Sequence, residues 1–208
     1  MSIGINKVIR ILISSDILLQ SGWGLVFPIF AIFLTRQIHG GSLEMVGFVA
    51  ATYWITKSVV QPFIAHALDV KNGERDDFKL LIFGMFLANL VPLGYFFSTQ
   101  IWHIFILEIF RGLCMACVVP SWSGIFTRHI DEGWEAFSWS LESTGIGFAA
   151  GLAGAFGGIL AAAVGFKTVF ILTTIFGLAS SSLLFLIRPK LFASNHFRPR
   201  IPPSEKPF

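Results

Sequence analysis

Charge is what this chain has least of. Only 13% of its 208 residues are Asp, Glu, Lys or Arg, against roughly 25% in soluble domains. Hydrophobic residues make up 54%, and Phe alone occurs 23 times. A soluble domain of this size cannot hide so much apolar surface, so lipid is the expected solvent. Cysteine is scarce too, with only Cys114 and Cys117. They sit three residues apart in one apolar run, where helical geometry disfavours a disulfide and no metal-ligand partner is spaced nearby. Both read as small core residues. The histidines (His39, His66, His103, His129 and His196) are scattered, and no spacing brings two onto one helical face, so no metal site is expected. A phosphate loop, a dinucleotide fingerprint and an EF-hand are also missing, so neither a cofactor nor enzymatic chemistry is expected. A removable signal peptide does not fit the start, because the apolar run after Arg10 is too long and has no small-residue cleavage site.

What remains is a series of long apolar runs. Crossing a bilayer takes about 20 residues. Six segments qualify, at roughly 8–35, 43–68, 79–98, 101–127, 137–164 and 167–187, joined by short connections such as HGGS, DVKNGERDD and HIDEGWE. Barrel strands would run to about ten residues with alternating polarity, and these do neither. With the N-terminus inside, the cytoplasmic side carries Lys7, Arg10, Lys71, Arg75, Lys79, Arg128, Arg188, Lys190, Arg198, Arg200 and Lys206, and the outside only Arg36 and Lys167. That asymmetry predicts a multi-pass protein of the cytoplasmic or plasma membrane with both termini cytoplasmic. Trp102 fits an outer interface belt, Trp134 and Trp139 an inner one. The net charge of +3 follows from this topology and is no sign of nucleic-acid binding.

The chain also repeats itself. PIFAIFLTRQIHGG at 28–41 is echoed 92 positions later by PSWSGIFTRHIDEG at 120–133, sharing Pro28/Pro120, Thr35/Thr127, Arg36/Arg128, Ile38/Ile130 and Gly41/Gly133. FKLLIF from Phe78 is echoed by FKTVFI from Phe166, at an offset of 88. The first echo ends span 1 outside and span 4 inside, so the copies run in opposite directions. The expected fold is an all-α membrane protein of six transmembrane helices with a 3+3 inverted-topology repeat. Repeat one covers about 7–98 and repeat two about 99–190, together one domain over 1–190. A basic cytoplasmic tail is expected over 191–208.

Several motifs on this frame resemble those of the major facilitator superfamily. GWGLVFP, from Gly22 to Pro28, resembles the Gly-rich, proline-ended motif of its drug-efflux branches, with Ala31 where a second proline is usual. AHALDVKNGER resembles the loop motif after span 2. There Asp69, Gly73 and Arg75 match, Ala65 and Val70 depart, and one extra residue precedes Gly73. Arg111 matches the span-4 arginine. GFAAGLAGAFGG resembles the antiporter motif, with Gly154 in place of its proline. The resemblance covers residues 7 to 190 and points to the N-terminal half of a transporter. It implies twelve spans in two parallel six-span halves, so a six-span chain is expected to pair with a second copy of itself as a parallel homodimer. Two alternatives stand beside that expectation: an isolated half that needs a different second half, and a non-transporting membrane interaction protein that kept the fold. SWSG at 121–124 also resembles the GxSG of intramembrane serine proteases but lacks its first glycine.

The candidate functional residues are the polar ones inside the spans. A charge at the bilayer centre costs about 2.5–3.5 kcal/mol on insertion scales, so each should face a cavity or a partner. The expected substrate and proton pathway comprises Asp16, Gln20, Lys57, Gln61, Glu108, Arg111 and Trp122. Estimated depths favour an Asp16–Lys57 pair and a local Glu108–Arg111 pair at i,i+3. Asp16, Gln20, Gly24, Phe27 and Ala31 share one stripe of span 1. Glu108, Arg111, Met115, Val118 and Trp122 share one of span 4. The resemblance implies that spans 1 and 4 line a central cavity and that Asp16, twelve residues before Pro28, exchanges a proton as Lys57 moves. A wall rich in Phe, Trp and Met suits a small lipophilic or amphipathic solute better than a sugar. Asp69, Gly73 and Arg75 are the expected gate loop. Thr144, Gly147, Gly151, Gly154, Gly158 and Gly165 form a small-residue stripe on span 5. Gly147, Gly151, Gly154 and Gly158 on this stripe are expected to pack against the partner copy.

Overall fold

The computed structural model describes residues 5–70 and 73–193. Among the described residues eight α-helices follow one another: α1 (Lys7–Gln37), α2 (Leu43–Val70), α3 (Glu74–Ala88), α4 (Val91–Phe97), α5 (Ile101–His129), α6 (Glu135–Val164), α7 (Phe166–Leu183) and α8 (Arg188–Ala193). A 3₁₀ turn at Leu184–Ile187 joins the last two. Lys7–Gln37, Glu74–Phe97, Ile101–His129, Glu135–Val164 and Phe166–Phe192 are each long and apolar enough to cross a membrane. The remaining expected span, α2, has the length with 28 residues, but Thr52, Thr56, Lys57, Gln61 and His66 dilute its apolar character.

Span 3 is interrupted. Pro92 lacks an amide hydrogen and its ring crowds the carbonyl four residues earlier, which favours a break at this point. Asn89 closes α3 by donating its backbone N–H to the Met85 carbonyl (3.0 Å), and α4 restarts at Val91. At the other tight junction a single residue, Gly165, links α6 to α7. Its φ of +86° lies in the left-handed region that favours glycine, and its N–H satisfies the Ala161 carbonyl at 3.1 Å.

α1 packs against α6 and α7, α5 packs against α2 and α3, and α4 packs on α7. With no hydrophobic drive between helices in lipid, close approach comes from small residues. A Cβ on Gly24 would lie 3.1 Å from the Ala150 carbonyl, and one on Gly157 would lie 2.8 Å from Leu25 Cα. Gly112 meets Tyr53 and Thr56 in the same way, and Gly84 meets Cys114. Between these seams Leu12, Leu34, Leu81, Ile104, Phe126 and Phe170 are fully buried. Buried polar groups tie α1 and span 3 to α7. Ser180 Oγ donates to the Ser15 carbonyl (2.6 Å), Thr173 Oγ1 to the Gly22 carbonyl (3.0 Å), and Asn89 Nδ2 to the Gly177 carbonyl (3.0 Å).

One end of the bundle is held by ions. Arg128, at the end of α5, donates to Glu74 Oε1 at 3.3 Å and to Asp77 at the start of α3, and His129 Nδ1 lies 3.7 Å from Glu74. Arg75 donates to the Phe192 carbonyl at 3.1 Å. Leu191, 1% exposed, packs α8 onto the core. Lys71 and Asn72 of the loop motif, and residues 194–208 with His196, Arg198, Arg200 and Lys206, lie outside the described residues.

Candidate functional site

A cavity of about 600 Å³ opens between α1, α2, α5 and α6. Asp16, Gln20, Phe27 and Phe30 enter it from α1, and Tyr53, Trp54 and Lys57 from α2. Glu108, Arg111, Met115, Val118, Trp122 and Ser123 come from α5, and Trp139, Glu142 and Ile146 from α6. Two stripes expected from the sequence therefore meet here, with adjustments. On α1, Gly24 leaves the cavity wall and packs against Ala150 and Ala153 instead. Gln61, one turn beyond Lys57 on α2, lies outside the cavity.

The Glu108–Arg111 pair forms as the spacing predicts. Arg111 donates to Glu108 Oε2 through Nε at 3.0 Å and Nη2 at 2.5 Å. The other carboxylate oxygen of Glu108 accepts from the Tyr95 hydroxyl of α4. The guanidinium lies 3.7 Å from the Tyr53 ring centroid and 4.6 Å from that of Trp23, so aromatic faces replace the water it lacks. Glu108 is 1% exposed. A carboxylate buried to that degree is retained only when its lone pairs are satisfied, and three donor contacts do this.

The Asp16–Lys57 pair does not form. Among the described residues no ion pair joins them; Asp16 lines the cavity together with Glu142 of α6. The reason is helix packing rather than depth. α1 lies along α6, whereas α2 lies along α5. Lys57 instead has its ammonium 5.0 Å from the Trp54 ring centroid, and it shares the cavity with Arg111.

Sequence reading missed Tyr53, Tyr95, Trp54, Glu142 and the position of Trp139. The signal for Glu142 was its i,i+3 spacing from Trp139, which puts both on one face of α6. Trp139 lines the cavity, with its ring 4.7 Å from Phe126 and 6.2 Å from Trp122. Trp122 is stacked on Phe126 at 4.6 Å. It is 7% exposed, and its indole Nε1 has no hydrogen-bond partner.

Around this cavity the fold is a bundle of long apolar helices. The Major Facilitator Superfamily model matches residues 12–207. The chain belongs to the Major Facilitator Superfamily. It is thus an integral, multi-pass membrane protein of a family whose members are membrane transporters, not enzymes. No curated protein matches it.

The remaining expected sites of this superfamily chain are placed as follows. Asp69 is exposed on the last turn of α2, Gly73 caps α3, and Arg75 reaches Phe192. On α6, a Cβ at Gly147, Gly151 or Gly158 would meet open space, whereas one at Gly154 would come 3.8 Å from the Gly24 carbonyl of the same chain.

Proposed function

We propose that this chain is a secondary transporter whose central site is the cavity between α1, α2, α5 and α6, completed by a second copy in parallel orientation. The observation that carries this reading is a charged cavity left open on one side. Phe27 and Trp54 line it and are 60% and 59% exposed, while Asp16, Lys57 and Glu142 are only half-buried. Facing lipid, such charges would each cost about 2.5–3.5 kcal/mol. A second six-helix body against this face removes that cost and encloses a site for a small lipophilic or amphipathic solute. Rocking of the two bodies then exposes the site to each side in turn, with both termini cytoplasmic.

The 3+3 inverted repeat that such a half would need is supported by its contacts. Exchanging spans 1–3 with 4–6 turns the α1–α6 seam into the α5–α2 seam, and the α1–α7 seam into the α5–α3 seam. Gly22 and Cys114, 92 positions apart, each pack on the neighbour this exchange requires: Thr173 of α7 and Gly84 of α3. Asn89 and Gly177, separated by the second echo's 88 positions, touch each other, as equivalent residues do beside a twofold axis.

Native mass spectrometry in lipid nanodiscs tests the assembly. A mass of about 46 kDa, twice the 23.0 kDa chain, is expected. A 23 kDa species would instead point to a half that needs a different partner. Transport by reconstituted protein tests the activity. Unimpaired flux after Asp16, Lys57 and Arg111 are neutralised together would rule out this site.

A further inference from the structure

Where α3 begins and α7 gives way to α8, basic side chains outnumber the carboxylates that meet them. The first turn of α3 carries Glu74, Asp76 and Asp77. Glu74 and Asp77 accept from Arg128, and Asp76 pairs with Lys79 at 3.3 Å. Arg75 stands between Glu74 and Asp76 in the sequence, but adjacent residues on a helix do not face each other. It turns instead to Phe192, donating to the backbone carbonyl at 3.1 Å with its Cζ 5.2 Å from the ring centroid. Arg188 approaches the same ring, its Cζ at 5.4 Å. Among the described residues Arg75, Arg188 and Lys190 form no ion pair. All three are exposed, and most of the N–H donors of each guanidinium remain available.

The chain next to these cations is apolar and open. Phe185 and Leu186, in the 3₁₀ turn, are 51% and 56% exposed. Residues three apart nearly eclipse in such a turn, and residues four apart share a helical face, so Phe185 lies in line with Arg188 and Leu186 with Lys190. Ile187 and Leu191 are buried and anchor this segment to the core.

We propose that Arg75, Arg188 and Lys190 bind the phosphate of an anionic phospholipid, whose acyl chain follows Phe185 and Leu186. A guanidinium fork matches phosphate oxygens. The apolar residues in line with the cations select a ligand that is charged at one end and apolar below it, which a free anion is not. The bound lipid joins the start of α3 to α8. This site lies outside the solute cavity and does not depend on what the cavity carries.

Native mass spectrometry of the full chain in detergent, titrated with phosphatidylglycerol or with phosphatidylcholine of the same acyl chains, tests it. Phosphatidylglycerol should bind about tenfold or more tightly than phosphatidylcholine. Each basic side chain near an anionic surface contributes about fivefold in affinity. Arg75→Gln and Arg188→Gln should therefore each weaken phosphatidylglycerol about fivefold, and the double variant about 25-fold. Unchanged phosphatidylcholine binding would show that the variants are folded, and Arg188→Lys should recover most of the loss. Lys167→Gln removes a cation at the other end of α7, over Phe96, and should leave the affinity unchanged. Equal affinity for the two lipids, an undiminished double variant, or an equal loss with Lys167→Gln each overturns the site. Inorganic phosphate should displace the lipid no better than chloride of the same ionic strength. Displacement by phosphate alone overturns the lipid assignment and makes the ligand a free anion.

Discussion

Arg111 illustrates how a charge is kept inside an apolar bundle. Its guanidinium has a carboxylate at 2.5 Å and two aromatic rings, Tyr53 and Trp23, beside it. Removing the carboxylate leaves the cation buried and uncompensated, which costs about 3–5 kcal/mol. Glu108→Gln should therefore lower the unfolding midpoint in detergent more than Tyr95→Phe does. The latter removes one hydrogen bond to a charged group, worth about 1.5–3 kcal/mol. Equal midpoints for the two variants would mean that Arg111 does not depend on Glu108. The Glu108–Arg111 contact was legible in the sequence because i,i+3 spacing alone puts both groups on one helical face. Tyr95 was not legible, because its contact exists only once span 3 folds back beside span 4. The Asp16–Lys57 expectation failed for a related reason. Depth along the membrane normal can be counted from residues, but which helix lies beside which cannot.

At the scale of elements, the order of the helices followed from the apolar runs, whereas the interruption of span 3 at Pro92 lies inside a run read as one continuous span. What the runs did not contain was the division of small residues between seams. Glycines on α6 recur at every third or fourth position, yet Gly157 is pressed against the Leu25 backbone while Gly147, Gly151 and Gly158 face open space. Gly157→Ala should thus disturb the α1–α6 seam, with a loss of about 1–3 kcal/mol, whereas Gly151→Ala should leave thermal stability within about 0.5 kcal/mol. A thermal unfolding series with both variants checks the contrast. Asn89 holds the other delicate point. Its side chain donates to the Gly177 carbonyl and to Ser181 Oγ at 3.2 Å, tying the break in span 3 to α7. Asn89→Ala removes both bonds and leaves the Gly177 carbonyl without this donor. A loss of about 1–3 kcal/mol is expected, with hydrogen exchange rising first around residues 88–92.

At the scale of the whole molecule, the two helices that flank the cavity are also those with the most exposed apolar surface. Trp54, Ile55, Val59 and Phe63 on α2, and Phe148, Leu152, Phe156 and Ile159 on α6, all face outward. Part of this surface suits lipid, but the cavity's charges do not, and they lie between the same two helices. If a second copy covers that side, the open glycines of α6 are the places where its backbone comes nearest. A cysteine scan decides whether it does. With Cys114 and Cys117 replaced by Ala, Gly151→Cys and Gly147→Cys should cross-link under mild oxidation in native membranes to a band of about 46 kDa, twice 23.0 kDa. Phe170→Cys, at a fully buried position on α7, should not. Cα atoms must come within about 7 Å for a disulfide to close, so the reaction reads approach of the two α6 helices directly. Cross-linking at Gly151 together with loss of flux when the bond forms would tie the rocking of two bodies to transport. A monomer band at every α6 position would place α6 away from its counterpart and remove the paired-copy arrangement built on this face.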